Sequence, residues 1–161
     1  METKEHIISI LVHNKPDVLA RIAGALGGKG YNIESLSVNT TTSYEISKIV
    51  MTSIGNQTTI TKIENQLRRI VDVIGVDDLT NVESINRELI LVKLSLTADS
   101  RAKIEKAIDT YKWKVIVSAN TYLILEITGD KPQIDFAIAR LEPLGIADIT
   151  RTGIVALELE N

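Results

Sequence analysis

The stretch Asn14-Lys15-Pro16-Asp17 stands between an apolar run and an amphipathic one, and it has the clearest capacity for ligand chemistry in the chain. If a helix opens there, the N–H groups of its first turn, at Asp17, Val18 and Leu19, have no intrahelical acceptors, and the helix dipole adds partial positive charge. Together they can receive a carboxylate. The Asn14 amide can donate to the same ligand, or it can act as a capping residue, the role its type prefers.

The remaining polar candidates read as structural. Gly28-Lys29 resembles the end of a phosphate-binding loop, but that motif needs glycine five positions earlier and Ser or Thr after the lysine, where Ala23 and Gly30 stand. Asp77 and Asp78 are neighbours in an extended run, so they point to opposite faces and cannot share acid–base work. Arg68-Arg69 close a helix, where cations are favourable. Trp113 reads as a packing or interface residue, and Arg151 beside Gly153 as an exposed arginine that could dock a partner. His6 and His13 have no third ligand at metal spacing, and both are expected on the exposed side of a strand.

Composition narrows the classes further. Cysteine is absent, which excludes disulfides and thiolate chemistry. The net charge of −3 comes without a basic run, so nucleic-acid binding has no electrostatic support. No run of about eighteen apolar residues occurs, and METKEH lacks the regions of a signal peptide, so a soluble, cytoplasmic protein away from membranes is expected.

These residues must be positioned by a repeated set of elements. His6–His13 is a β-branched strand; Val18, Leu19, Ile22, Ala23 and Leu26 stripe a helix begun at Pro16 and ended by Gly27-Gly28-Lys29-Gly30. Ile33–Thr40 and Tyr44–Ile54 read as strands, Ile60, Ile63, Leu67 and Ile70 mark a helix, and Val71–Leu79 is a fourth strand. The second half repeats the order. Glu88–Leu96 is followed by a helix begun near Asp99, a strand pair around Asn120-Thr121, a helix ended by Pro143 and Gly145, and a last strand over Ile146–Leu159. Two βαββαβ ferredoxin-like modules of α+β class are therefore expected, residues 1–80 and 87–161, with a connection at 81–86. Each sheet would be covered by helices on one face only.

Four blocks carry a family resemblance: GYNIESLSV at Gly30–Val38, the stretch Ile70–Thr80, RELILVKL at Arg87–Leu94 and ITRTGIVAL at Ile149–Leu157. In this order they resemble the regulatory small subunits of acetolactate synthase, also called acetohydroxyacid synthase. The resemblance implies an N-terminal ACT domain and a second ACT-like module, with no active site in the chain. It also implies a catalytic large subunit as partner, in which thiamine diphosphate, Mg2+ and FAD serve branched-chain amino-acid biosynthesis. The small subunit would activate that partner and confer feedback inhibition, most often by valine.

Carried onto this chain, the family's effector site takes Asn14 and the amides of Asp17, Val18 and Leu19 from one protomer. Asn32 and Ile33 come from the other protomer of a homodimer formed through the ACT domains. The family carries glycine where this chain has Asp17. A carboxylate there would compete for the helix dipole and repel an incoming carboxylate, so weakened valine sensing is expected. The alternative reading is a free-standing tandem ACT sensor that regulates another protein.

Overall fold

The computed structural model describes residues 2–159. The chain divides into two compact units, one reaching to Asn86 and regaining the chain from Gly153 onward, the other running from Arg87 to Thr152.

The first unit begins with β1 (Lys4–His13), a β-branched run that alternates across a sheet. It continues through α1 (Val18–Gly27), β2 (Ser35–Thr40), β3 (Ile46–Gly55), α2 (Gln57–Leu67) and β4 (Val73–Asp78). The sheet order is β2-β3-β1-β4, all antiparallel. Ile8, Ile10 and Val12 share one face of β1 and pack with Val18, Ile22 and Leu26 of α1 and Ile60, Ile63 and Leu67 of α2. Full burial of each such side chain contributes about 1.5–3 kcal/mol, enough in sum to fix the strand register.

The second unit has the same plan. It comprises β5 (Ser84–Ser95) from Arg87 onward, the strand's first three residues lying in the first unit and within the expected connection, then α3 (Ala98–Tyr111), β6 (Lys114–Ser118), β7 (Tyr122–Gly129), α4 (Lys131–Leu141), a single 3-10 turn (Glu142–Leu144) and β8 (Ile146–Arg151). The order β6-β7-β5-β8 reproduces that of the first sheet. The ladder between first and fourth strands shifts register at Leu11/Val12 in one unit and at the equivalent Lys93/Leu94 in the other. The α+β reading with paired βαββαβ modules is thus the observed architecture.

Two expectations are corrected. The last strand is not continuous over Ile146–Leu159, because the chain breaks at Thr152-Gly153 and resumes as β9 (Val155–Glu158). Gly153 adopts φ +77°, and a Cβ there would sit 3.1 Å from the Leu36 carbonyl oxygen, so glycine is required on both counts. Ile154 and Ala156 then bury against Ile7, Val50 and Leu79. This tail covers part of the sheet face that the helices leave open.

His6 is not on an exposed face either. It shares the parity of Ile8 and Ile10, is 1% exposed, and its Nδ1 lies 3.1 Å from Asp78 Oδ2. His13 is exposed as expected. Among the described residues no helix is long and apolar enough to cross a membrane, and no cluster of His, Asp and Glu could hold a metal ion.

Candidate functional site: the strand–helix turn of the first unit

The turn between β1 and α1 is built by Pro16, whose fixed φ and missing N–H suit the approach to a helix. Helix α1 begins at Val18, two residues later than the sequence suggests, with Asp17 in the cap position. The Asp17 side chain makes no capping hydrogen bond. Of the three first-turn amides, Val18 N–H is engaged weakly by the Lys15 carbonyl at 3.3 Å. Asp17 and Leu19 N–H lie where helix geometry provides no acceptor.

Asn14 does not cap the helix. Its Nδ2 donates to the Tyr44 carbonyl at 2.8 Å, and its backbone N–H donates to the Glu45 carbonyl at 2.8 Å. Asn14 thus pins the β2–β3 turn beside the helix start and sets the wall of the site. Val18 is buried at 2%, whereas Leu19 is 37% exposed beside the open amides.

A charge network missed at the sequence level lies beneath this turn. Asp72, only 5% exposed, accepts from Lys15 Nζ at 2.7 Å and from Arg21 Nη2, while His13 N–H donates to its carbonyl at 2.9 Å. Hydrogen bonds from Lys15 and then Arg21 hold the Asp72 carboxyl below the usual carboxylate range, against a smaller opposing effect of burial. The same bond from Asp72 raises the Arg21 guanidinium. Arg21 Nε also lies 2.9 Å from Asp17 Oδ2, but it is not aligned as a hydrogen bond, and the Asp17 side chain stays 65% exposed. Asp17 is therefore drawn along the helix toward Arg21 instead of occupying the positive pole of the dipole as expected. The spacing Asp17/Arg21, one helical turn, was legible in the sequence; the role of Asp72 was not.

Asn32 and Ile33 lie elsewhere. Ser53 Oγ donates to the Asn32 carbonyl at 2.7 Å, Asn32 Nδ2 donates to Glu34 Oε1 at 2.6 Å, and Ile33 packs on the first core. Ser53 pairs with His6 and Ile46 with His13, so the two halves of the expected site are separated by seven strand residues, roughly 23 Å. One chain brings Asn14, Asp17, Val18 and Leu19 together and does not bring Asn32 or Ile33 to them.

The other polar candidates resolve into structure. Burial pushes the Asp78 carboxyl up, but hydrogen bonds from the Thr80 hydroxyl and amide and from His6 leave it lowered overall. Glu64 is raised, first by burial and then by the nearby Asp78. Arg151 is not a loose docking residue: its Nε and Nη2 lie 2.7 and 2.8 Å from the two oxygens of Glu88, which is 3% exposed.

Comparison with known proteins gives the same assignment from two sides. Residues 87–160 match the family described as the small subunit of acetolactate synthase, and residues 8–75 match the acetohydroxyacid synthase small subunit-like ACT domain. An acetolactate synthase small subunit of Aquifex aeolicus is 43% identical over 99% of this chain and 83% of its own length. A probable acetolactate synthase small subunit of Archaeoglobus fulgidus is 32% identical over 98% of both chains. The crystal structure of the acetolactate synthase small subunit from Thermotoga maritima superposes with a TM-score of 0.88 at 31% identity, covering 98% of this chain and 99% of that one. With its two sheets in the same order, its ACT-type first unit and relatives that match nearly the whole of it, this chain belongs to the family of acetolactate synthase small subunits.

Proposed function

We propose that the protein is a non-catalytic regulatory subunit that activates an acetolactate synthase catalytic large subunit and senses an amino acid at the β1–α1 turn. The observation that carries the reading is the start of α1 without a side-chain cap, where the Asp17 and Leu19 amides have no helical acceptor, beside Asn14. A bound amino acid would place its carboxylate on the amides of Asp17, Val18 and Leu19. Asn32 and Ile33 of a second copy would close the site, since those of the same chain are too distant. Effector binding would then be linked to pairing of the first units, and through it to the catalytic chain. All pyruvate chemistry belongs to the partner and its cofactors.

Asp17 weakens valine sensing in this arrangement. Lys15, Arg21, Asp72 and Asp17 together carry no net charge, so an incoming carboxylate meets the helix amides without an added cation. The effect is modest because Asp17 is mostly solvated.

Mixing the chain with its catalytic large subunit tests the reading. No pyruvate turnover is expected from the chain alone and a higher rate from the mixture. Turnover by the chain alone, or an unchanged rate on mixing, contradicts it. In the same assay Asp17→Gly lowers the valine concentration for half-inhibition by roughly fivefold, the limit for one solvated charge. Strong inhibition of the unmutated mixture at low valine rejects the role given to Asp17.

A further inference from the structure

Three of the six aromatic side chains in the chain meet at one place in the second unit. Tyr111 lies against Trp113 with ring centroids 4.9 Å apart and meets Phe136 edge-on at 5.2 Å. With Lys112, Lys114 and Glu126 they line a cavity of about 580 Å³, within the size range of small-molecule pockets. Tyr111 and Phe136 remain 38% and 43% exposed, so the cluster is a lining and not a closed core.

The charges around the cavity leave two cations over, Lys112 and Arg140, the latter with its guanidinium carbon 5.1 Å from the centroid of the Phe136 ring. Lys114 Nζ is 3.2 Å from Glu126 Oε1, so those two neutralise each other. The first turn of α4 is closed by its own capping box, in which Asp130 and Gln133 satisfy one another's amides. Among the described residues the Lys112 side chain has no ion pair or hydrogen bond.

Lys112 also has φ +57°, the only positive φ among the described non-glycine residues. The first unit also sets a positive φ before an aromatic residue after its first helix, three residues beyond α1, but there the residue is Gly30, at φ +75°, before Tyr31. Glycine adopts this conformation without steric cost and lysine does not. A side chain kept at a strained corner, at the rim of an aromatic pocket, points to a function for its ammonium group.

We infer that this pocket binds an aromatic carboxylate, with the ring against Tyr111, Trp113 and Phe136 and the carboxylate on Lys112 Nζ. The ring faces not covered by Arg140 supply stacking area, and the two uncompensated cations, Lys112 in the lining and Arg140 over Phe136, select an anion over an amine. A side chain the size of valine covers too little of the lining to be held there. The site does not depend on the amino-acid site of the first unit.

Trp113 is the only tryptophan in the chain, so its emission reports on this pocket alone. Titration of the full chain with 3-phenylpropanoate is expected to change that emission saturably, and 2-phenylethylamine at equal concentrations is expected to leave it unchanged. L-Phenylalanine run alongside distinguishes an amino acid from a simple acid as the source of ring and carboxylate. Lys112→Gly weakens binding about tenfold while thermal stability is kept or raised, because glycine relieves the corner. No response to either carboxylate, an equal response to the amine, or full affinity in Lys112→Gly overturns the inference. So does shielding of Trp113 from a soluble quencher by the catalytic large subunit when the carboxylates have no effect, which would make the pocket a protein contact.

Discussion

The two units share strand order, helix placement and even the position of the register shift, yet they close their first strand–helix turns differently. In the second unit a single residue, Leu96, separates β5 from the cap Thr97, and Thr97 and Ser100 form a reciprocal capping box. In the first unit three residues, Asn14, Lys15 and Pro16, separate β1 from Asp17, and no side chain caps the helix. The closed turn stabilises its own helix and satisfies two of its donors, the Thr97 and Ser100 amides, so it has fewer left to offer a ligand. The longer one leaves donors open and spends its polar groups on holding the walls apart. The proposed effector site thus falls where one copy lacks a local stabilising contact that the other retains.

A second contrast lies at the far end of the same strands. His6 and Glu88 occupy equivalent positions, each two residues before an isoleucine, and those isoleucines pair with Asp78 and Arg151. One unit buries an imidazole with a carboxylate and the other a carboxylate with a guanidinium, so the polarity is reversed while the geometry is kept.

Breaking these pairs gives the largest expected effects. Arg151→Ala strands the buried Glu88 and should lower stability by about 3 kcal/mol in a denaturant titration. Asp78→Ala removes bonds from Thr80 and His6 and should cost less, about 1–2 kcal/mol, since an imidazole can be buried without charge. An equal loss in both variants would show that the reversal of polarity has no energetic meaning.

The turns themselves come next. Thr97→Ala should cost about 1 kcal/mol by removing a capping box, whereas Asp17→Ala should stay within about 0.5 kcal/mol because Asp17 caps nothing. A larger loss at Asp17 would mean that the first turn is closed after all. Acid unfolding sharpens the same point from the charge network. Since Asp72 is lowered in the folded state, its contribution is fully present above the ordinary carboxylate value of about 3.9 and is lost as pH falls through its lower folded value. Asp72→Asn should therefore be less stable than the parent at neutral pH, with the difference closing under acid conditions. A difference that persists unchanged at low pH would separate Asp72 from the titration.

Much of this organisation was legible from residues alone. The stripes Val18/Ile22/Leu26 and Ile60/Ile63/Leu67 announce helices, and the repeated element order gives the paired modules. Proline before a helix and glycine after it locate the ends of α1. What was not legible depends on distant partners. Arg21 and Asp72 are 51 residues apart, and nothing local marks Asp72 as their meeting point. His6 was misplaced because HIISILVH is apolar on both faces, so alternation did not say which face meets the helices. The break at Thr152-Gly153 is set by the backbone of Leu36, more than a hundred residues away, which leaves no trace in the β-rich stretch itself. Asn14 was legible as a turn residue, but its partner, the Tyr44 carbonyl, belongs to a hairpin whose proximity only the folded sheet creates.

The most direct test is an amide chemical-shift titration of the isotope-labelled chain with valine, comparing the first turns of α1 and α3. The account predicts that the N–H signals of Asp17, Val18 and Leu19 move together with those of Asn32 and Ile33, while those of Ala98, Asp99 and Ser100 stay in place. Movement confined to the α3 turn, or saturable binding that leaves Val18 and Leu19 unmoved, would contradict it.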